Sequence, residues 1–385
     1  MRELGPDEAE STKVWSRQRW LTILLVVLLP PLLLRGCVLS TYVIRSTSME
    51  PAIQTGDHLL VLKEGVDLRE LKRWDVGLFD RSIDLEVPEE IEAVAKRIVG
   101  LPGEMIELRD GDVFVGPNKA RLSLVQKEDA LVRRLLVPVD RGPGLTQPWS
   151  GPSLEVDADG TRISAGAQEL WALYGVGVRD GVGEDLGRWP VRDTALEVVV
   201  GEGDGTLLLQ LREGADTFQA RLAPADRGGA LLGHNLGQGK VCAEPQFPGL
   251  RPGQRVLFWN VDNGVRLWID DEILFSYDYP ENASLSPGGA LNNVPGVGVV
   301  DGTLSLREVA VLRDLHYAPQ GDHGTALGPA RIPEGQLFLL GDNSRKSRDS
   351  RYFGPKSITL LRGRPFATYR PLSRAGWRSA AGVAP

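Results

Sequence analysis

Histidine and cysteine are scarce in these 385 residues: four of the first and two of the second. Cys37 and Cys242 cannot build a disulfide framework or a four-cysteine zinc site. His58, His234, His316 and His323 sit at spacings that match no metal-ligand pattern. A Ser-His-Asp or His-metal hydrolase therefore starts poorly supplied. Lysine is also rare, nine against 35 arginines, so the chain uses arginine wherever a plain positive charge will do and each lysine invites a reason. The formal net charge of −7 leaves no electrostatic footprint for nucleic acid. Helical periodicity is nearly absent, no repeat recurs at a fixed period, and only one long apolar run exists. What is present, 42% apolar and 25% charged residues, is near the globular average and excludes a disordered or fibrous chain.

The apolar run reads Trp20-Leu-Thr-Ile-Leu-Leu-Val-Val-Leu-Leu-Pro-Pro-Leu-Leu-Leu34. It is short for a membrane span of ~20 residues, and is completed if Arg35 snorkels and residues 36–38 sit at the interface. Lys13, Arg17 and Arg19 flank its near side, so the positive-inside rule predicts a single-pass anchor over 20–37 with the tail 1–19 in the cytoplasm and the rest outside. The rival readings are a lipoprotein signal cut before Cys37, on the segment Leu34-Arg-Gly-Cys37, and a buried core helix.

Beyond the anchor the pattern changes to short β-rich runs, over 38–44, 58–62, 76–79, 93–99, 105–108 and 113–115. A second block, 120–325, has Gly and Pro clusters at its borders and strand signals at 195–200, 206–211, 218–222, 255–259, 265–269, 272–275 and 304–312. Two packed antiparallel sheets are expected there, with five of the nine tryptophans supplying a private core. Asn263-Gly264 reads as a type I′ hairpin, and Asp270-Asp271 begins the next turn. Asp157-Ala-Asp-Gly160 reads as a turn rather than a calcium loop, because the remaining ligands are missing. The fold class expected is thus mostly β, behind an N-terminal transmembrane helix.

Three segments carry chemistry: Ile44-Arg-Ser-Thr-Ser-Met-Glu-Pro51, Ala95-Lys-Arg-Ile-Val-Gly-Leu-Pro-Gly103 and Leu340-Gly-Asp-Asn-Ser-Arg-Lys-Ser-Arg-Asp-Ser-Arg-Tyr-Phe-Gly354. On a strand, Lys96 points with Val94 and Ile98. A lysine on an apolar face loses hydration, its charged form is disfavoured, and a neutral amine becomes a general base. A base needs a nucleophile, and a serine hydroxyl is weak until its proton is taken. Taken alone, such a lysine more often snorkels to an edge, and Ser-rich turns are usually turn chemistry.

Together, in this order and directly after an anchor, the three segments resemble the signature boxes of type I signal peptidases, membrane-bound Ser/Lys proteases that cleave signal peptides from exported preproteins. The resemblance covers roughly 20–115 and 335–377. It implies Ser48 as nucleophile, Lys96 as general base, and an oxyanion hole from the Ser48 amide and the Ser46 hydroxyl. It implies that Ser347 hydrogen-bonds the lysine and that Asp342, Asp349 and Arg351 buttress the site. Ile44, Met49, Ile53 and Ala95 match the pocket that takes the small residues before a cleavage site. No cofactor or metal is implied. The expected partners are signal peptides and the lipid membrane, with a ligand of the 120–325 block left open. Ser344 departs from the family pattern, where many members have Arg. The division expected is tail 1–19, anchor 20–37, catalytic core 38–119 and 326–385, and an inserted β-sandwich 120–325 faintly similar to lectin-like jelly rolls. A catalytically idle scaffold binding glycan or protein, and another Ser/Lys protease such as a self-cleaving repressor, are the alternatives.

Overall fold

The structure is a computed structural model that describes residues 38–63, 71–84, 86, 91–145, 148–151, 155–157, 160–182, 187–214, 216–235, 240–280 and 294–379. The tail and anchor expected over 1–37, with Cys37, lie outside the described residues. Among the described residues no helix is long and apolar enough to cross a membrane. The chain is mostly β, as expected from its short alternating runs.

Four sheets organise it. The first holds the signature segments and runs, strand by strand, through Leu39–Val43, His58–Lys63, Leu361–Arg370, Val76–Asp80, Ala93–Gly100, Gln336–Leu340 and Lys356–Ser357. Both faces are covered. Ile44, Met49, Ile53, Leu59, Val61, Val76, Leu78 and Ala95 form one apolar cluster. Phe79, Ile83, Val94, Ile98, Leu337, Leu339 and Leu361 form another. That is why Ala93–Gly100 is buried almost end to end instead of alternating. A small sheet of Ala330–Arg331, Met105–Arg109, Asp112–Gly116 and Ser123–Leu124 packs beside it through Val99, Ile106, Val113 and Phe338.

The remaining two sheets face each other. One includes Val137–Gly142, Gly160–Ala165, Thr194–Gly203, Arg255–Val261, Gly264–Ile269, Glu272–Asp278 and Gly302–Arg313. The other includes Trp149–Ser150, Leu170–Tyr174, Thr206–Glu213, Asp216–Leu222, Ala230–His234, Val241–Ala243 and Gly296–Val300. Along Asp216–Leu222, Phe218, Ala220 and Leu222 alternate inward, the period-2 pattern of a half-buried strand. They join Leu196, Val198, Leu207, Phe258 and Val309 in one core drawn from both sheets, a β-sandwich.

Two local features differ from the sequence expectation. A helix, Asp129–Leu135, lays Val132 and the following Leu136 on the outer face of the first sandwich sheet, against Trp259 and Leu312. Seven residues are too few to show a helical period. The hairpin turn also falls one residue early. Val261 pairs with Gly264, so Asp262 and Asn263 occupy the loop, with φ of 50° and 59°. Type I′ geometry is retained, and Gly264 starts the next strand. The register is set by burial: it places Asp262 where its carboxylate takes Lys127, and a slip by one residue would turn every inward side chain outward.

Candidate active site

Ser48 lies in the turn that leads out of Leu39–Val43, and Lys96 lies mid-strand in Ala93–Gly100. Their side chains are 5% and 4% exposed, which removes both from bulk water. The cross-strand neighbour of Lys96 is Gly77, packed under Leu361 and Phe79. A Cβ there would already stand 2.7 Å from Leu361 and Phe79.

Ser347 holds the amine, and its segment reaches the Ser48 backbone. Lys96 Nζ donates to Ser347 Oγ at 2.9 Å. A Cβ placed on Gly341 would come within 2.2 Å of Ser347 Oγ and 2.5 Å of the Ser48 carbonyl oxygen, so those two groups close on the same point. The amide of Asn343 donates to the Ser48 carbonyl at 3.0 Å and pins the first signature segment to the third. The Ser46 and Ser48 hydroxyls are 3.1 Å apart, within hydrogen-bond distance. The amine at rest is thus bonded to Ser347 and the Ser48 hydroxyl to Ser46, a loose arrangement common before substrate tightens a catalytic site.

The electrostatics follow from burial. Desolvation lowers the Lys96 pKa from 10.5 to about 8, Asp349 pulling it up and Arg351 pushing it down. About one chain in ten then carries the neutral amine at pH 7, against fewer than one in a thousand for an ordinary lysine. For Asp349, burial alone would raise the carboxyl, but the charge and hydrogen bonds of Arg351 hold it below the usual range. Arg351 donates to Asp349 through Nε and Nη2, each at 2.8 Å. Asp349 Oδ2 accepts from the Gly341 amide at 3.1 Å, closing the third segment on itself. Ser350 Oγ accepts from the Leu339 amide at 2.9 Å.

Every expected site residue therefore falls in one region. Ser46 meets Ser48, and Lys96 meets Ser347. Asp349 and Arg351 stand behind them. Asp342 is paired elsewhere, receiving two bonds from Arg97 at 2.7 and 2.6 Å, with both side chains fully buried. Ile44, Met49, Ile53 and Ala95 fall in one apolar cluster beside Ser48. Next to it a cleft of about 210 Å³ opens between residues 41–43 with Arg45 and residues 91–93. Among the described residues one edge of Leu39–Val43 carries no partner strand, so that wall of the cleft presents open backbone.

Two residues escaped the sequence reading. Arg97 binds Asp342 and also donates to the Trp74 carbonyl at 2.7 Å. The Lys-Arg dipeptide beside a Gly-Asp-Asn segment was the available signal. Trp74 holds φ at 76°, a left-handed conformation rare for an aromatic residue. Ser344 departs from the family pattern, and the structure gives it a use: its hydroxyl accepts from the Ala318 amide at 2.8 Å and from Arg351 at 2.5 Å. Arg351 also donates to the Ala318 carbonyl at 3.0 Å, so the segment returning from the sandwich helps fix it.

Comparison with known proteins points the same way. The chain is 26% identical over 113 residues to signal peptidase I of Bacillus licheniformis, covering 29% of this chain and 58% of that protein. It is 33% identical over 145 residues to thylakoidal processing peptidase 1 of Arabidopsis thaliana, covering 35% and 42%. With a probable signal peptidase I of Synechocystis it shares 34% over 82 residues, 21% and 38%. The chain spans about half the length of the curated relatives it matches. Among solved structures, a carbohydrate binding module from Bacillus subtilis is similar at 12% identity and a TM-score of 0.31, over 44% of this chain and 97% of that one, too distant to bear on function. The family model described as signal peptidase, peptidase S26, matches residues 17–135 and 279–369. Those two stretches hold all three signature segments, pass over most of the sandwich and amount to more than half of the sequence, and on that ground the chain belongs to the signal peptidase family, peptidase S26.

Proposed function

We propose that this chain is a membrane-bound serine endopeptidase that removes signal peptides from exported preproteins with Ser48 and Lys96 as a dyad. The observation that carries the reading is a buried lysine with its pKa brought to about 8, whose amine donates to Ser347 in the segment that the Asn343 amide pins to the Ser48 carbonyl. Neutral Lys96 removes the Ser48 proton, and Ser48 Oγ attacks the carbonyl carbon that ends the signal peptide. The Ser48 amide and the Ser46 hydroxyl, turned from its resting bond, hold the oxyanion, a contact typically worth ~3 kcal/mol per donor. Lysinium protonates the departing amine. Water, deprotonated by the same lysine, then hydrolyses the acyl-enzyme. Ser347 keeps the amine aimed, and Asp349 with Arg351 keeps Ser347 in place.

The substrate binds extended in the cleft between residues 41–45 and 91–93, adding a strand to the edge of Leu39–Val43 that is open among the described residues. Ile44, Met49, Ile53 and Ala95 take small side chains ahead of the cut. The anchor spans 20–37 of a cytoplasmic (inner) membrane with the N-terminus inside, placing the site on the outer face. The sandwich is a separate domain inserted into the catalytic core. Incubation of the purified chain in detergent with a preprotein bearing small residues before its cleavage site tests the activity. One cut at that site, read by N-terminal sequencing and absent from Ser48→Ala, is expected. An intact preprotein, or a cut that persists in Ser48→Ala, overturns it.

A further inference from the structure

Four carboxylates meet at the seam between the small sheet and the sandwich. Asp112 opens the strand Asp112–Gly116, Asp193 precedes Thr194–Gly203, Asp262 sits in the hairpin loop, and Asp314 follows Gly302–Arg313. One oxygen each from Asp112, Asp193 and Asp262 lies within 4.8 Å of the others. Two ligands on opposite sides of a calcium ion, each at ~2.4 Å, stand that far apart. Lys127 is the ammonium that meets the group, 2.8 Å from Asp262 and 2.7 Å from Asp314. Four carboxylates and one ammonium leave three negative charges in a buried place. Among the described residues no ion pair reaches Asp112 or Asp193.

A second observation points to a missing partner. Asp314 is fully buried, and its Oδ1 accepts no hydrogen bond; Thr194 Oγ1, next to Asp193 and equally buried, has no partner either. Asp314 shares Lys127 with Asp262, so its carboxylate faces the same cluster. Native proteins seldom leave such atoms unsatisfied without an ion or water to take them.

We propose a calcium site formed by Asp112, Asp193 and Asp262, with Asp314 and Lys127 behind it, that clamps the sandwich to the small sheet. An all-oxygen donor set without histidine or cysteine selects a hard cation, and ligands from separate elements suit the irregular geometry calcium accepts. Without an ion, burial and then the neighbouring carboxylates raise the Asp112 and Asp193 carboxyls above their ordinary range, so the competing state is protonated. No sequence pattern marks the site, because its residues are scattered over some two hundred positions.

The test is thermal unfolding of the full chain in detergent, in millimolar calcium and in EDTA, with Asp112→Asn and Asp193→Asn alongside. Calcium should raise the wild-type Tm by several degrees, with one ion per chain by native mass spectrometry. The Asp112 carboxylate makes no hydrogen bond among the described residues, so Asp112→Asn should fold, raise the Tm in EDTA by removing the cost of protonating a buried carboxyl, and lose the calcium gain. Terbium offers an independent readout, since Trp74 lies 5.0 Å from Lys127 Nζ and should sensitise emission that calcium displaces. Equal wild-type Tm in calcium and EDTA with no bound ion, or an undiminished gain in both variants, overturns the site.

Discussion

In the proposed dyad, Lys96 sets stability against activity at a single position. Its fall from 10.5 to about 8 means that burial destabilises the cation by roughly 3 kcal/mol relative to water. The folded pKa lies below the unfolded one, so the unfolded chain binds more protons between about pH 8 and 10.5. The penalty is complete below that window and fades as pH rises through it. Lys96→Met should therefore raise the Tm at pH 7, by less at pH 10, while cutting preprotein turnover by ~10²–10⁴-fold, the usual cost of a lost general base. Calorimetry at the two pH values checks the sign, and a Tm lower than wild type at pH 7 would contradict it. In the wild type, kcat/KM should climb with pH and level off above about pH 8. Gly341 gives a second residue-scale outcome. In Gly341→Ala the added Cβ meets the Ser48 carbonyl, which is backbone and cannot move aside, so more than about 10² of activity should be lost while the far-UV spectrum stays that of the wild type.

At the scale of elements, the strands of the catalytic sheet deliver their residues only because turns and returns hold them. Arg351 reaches across to Ala318, in the segment that re-enters the core after Gly302–Arg313. Val137 and Arg313 are cross-strand partners, so the chain leaves and re-enters the sandwich at neighbouring points. A shortened chain joining residue 136 to 314 by two or three glycines should keep Ala318 and still cut a preprotein, more slowly. One joining 119 to 326, the border the sequence suggested, loses Ala318 and with it the Arg351 brace, and should be inactive. Equal activity of the two in a preprotein assay would show that the brace is dispensable. The difference between those borders also shows what was legible beforehand. The signature segments could be read because serine, lysine and Gly-Asp-Asn chemistry is local in sequence. Alternation gave away strands such as Asp216–Leu222 and Gly264–Ile269 for the same reason. The Asp129–Leu135 helix was too short to show a period. The hairpin at Asp262 followed tertiary burial over the Asn-Gly signal. Arg97 looked like an ordinary strand arginine until folding placed Asp342 beside it.

Across the whole molecule, the signal peptidase family model matches more than half of the chain and passes over most of the sandwich. The seam is polar and buried, with Lys127, Asp112, Asp193, Asp262 and Asp314, and ion pairing or metal there couples the two parts without touching Ser48. Removing calcium should thus loosen the seam and lower the Tm while the Lys96-controlled pH profile stays in place, a separation that a profile taken in EDTA would reveal. The most direct measurement of the dyad is turnover of a model preprotein by Ser48→Ala, Lys96→Ala and the double variant, each shown to be folded. Residues that act as one unit lose activity once, so the three should fall to the same low level. If Lys96→Ala retained more than about a tenth of wild-type turnover, well above what a missing general base allows, or if the double variant fell by the product of the single losses, Ser48 and Lys96 would not form a dyad.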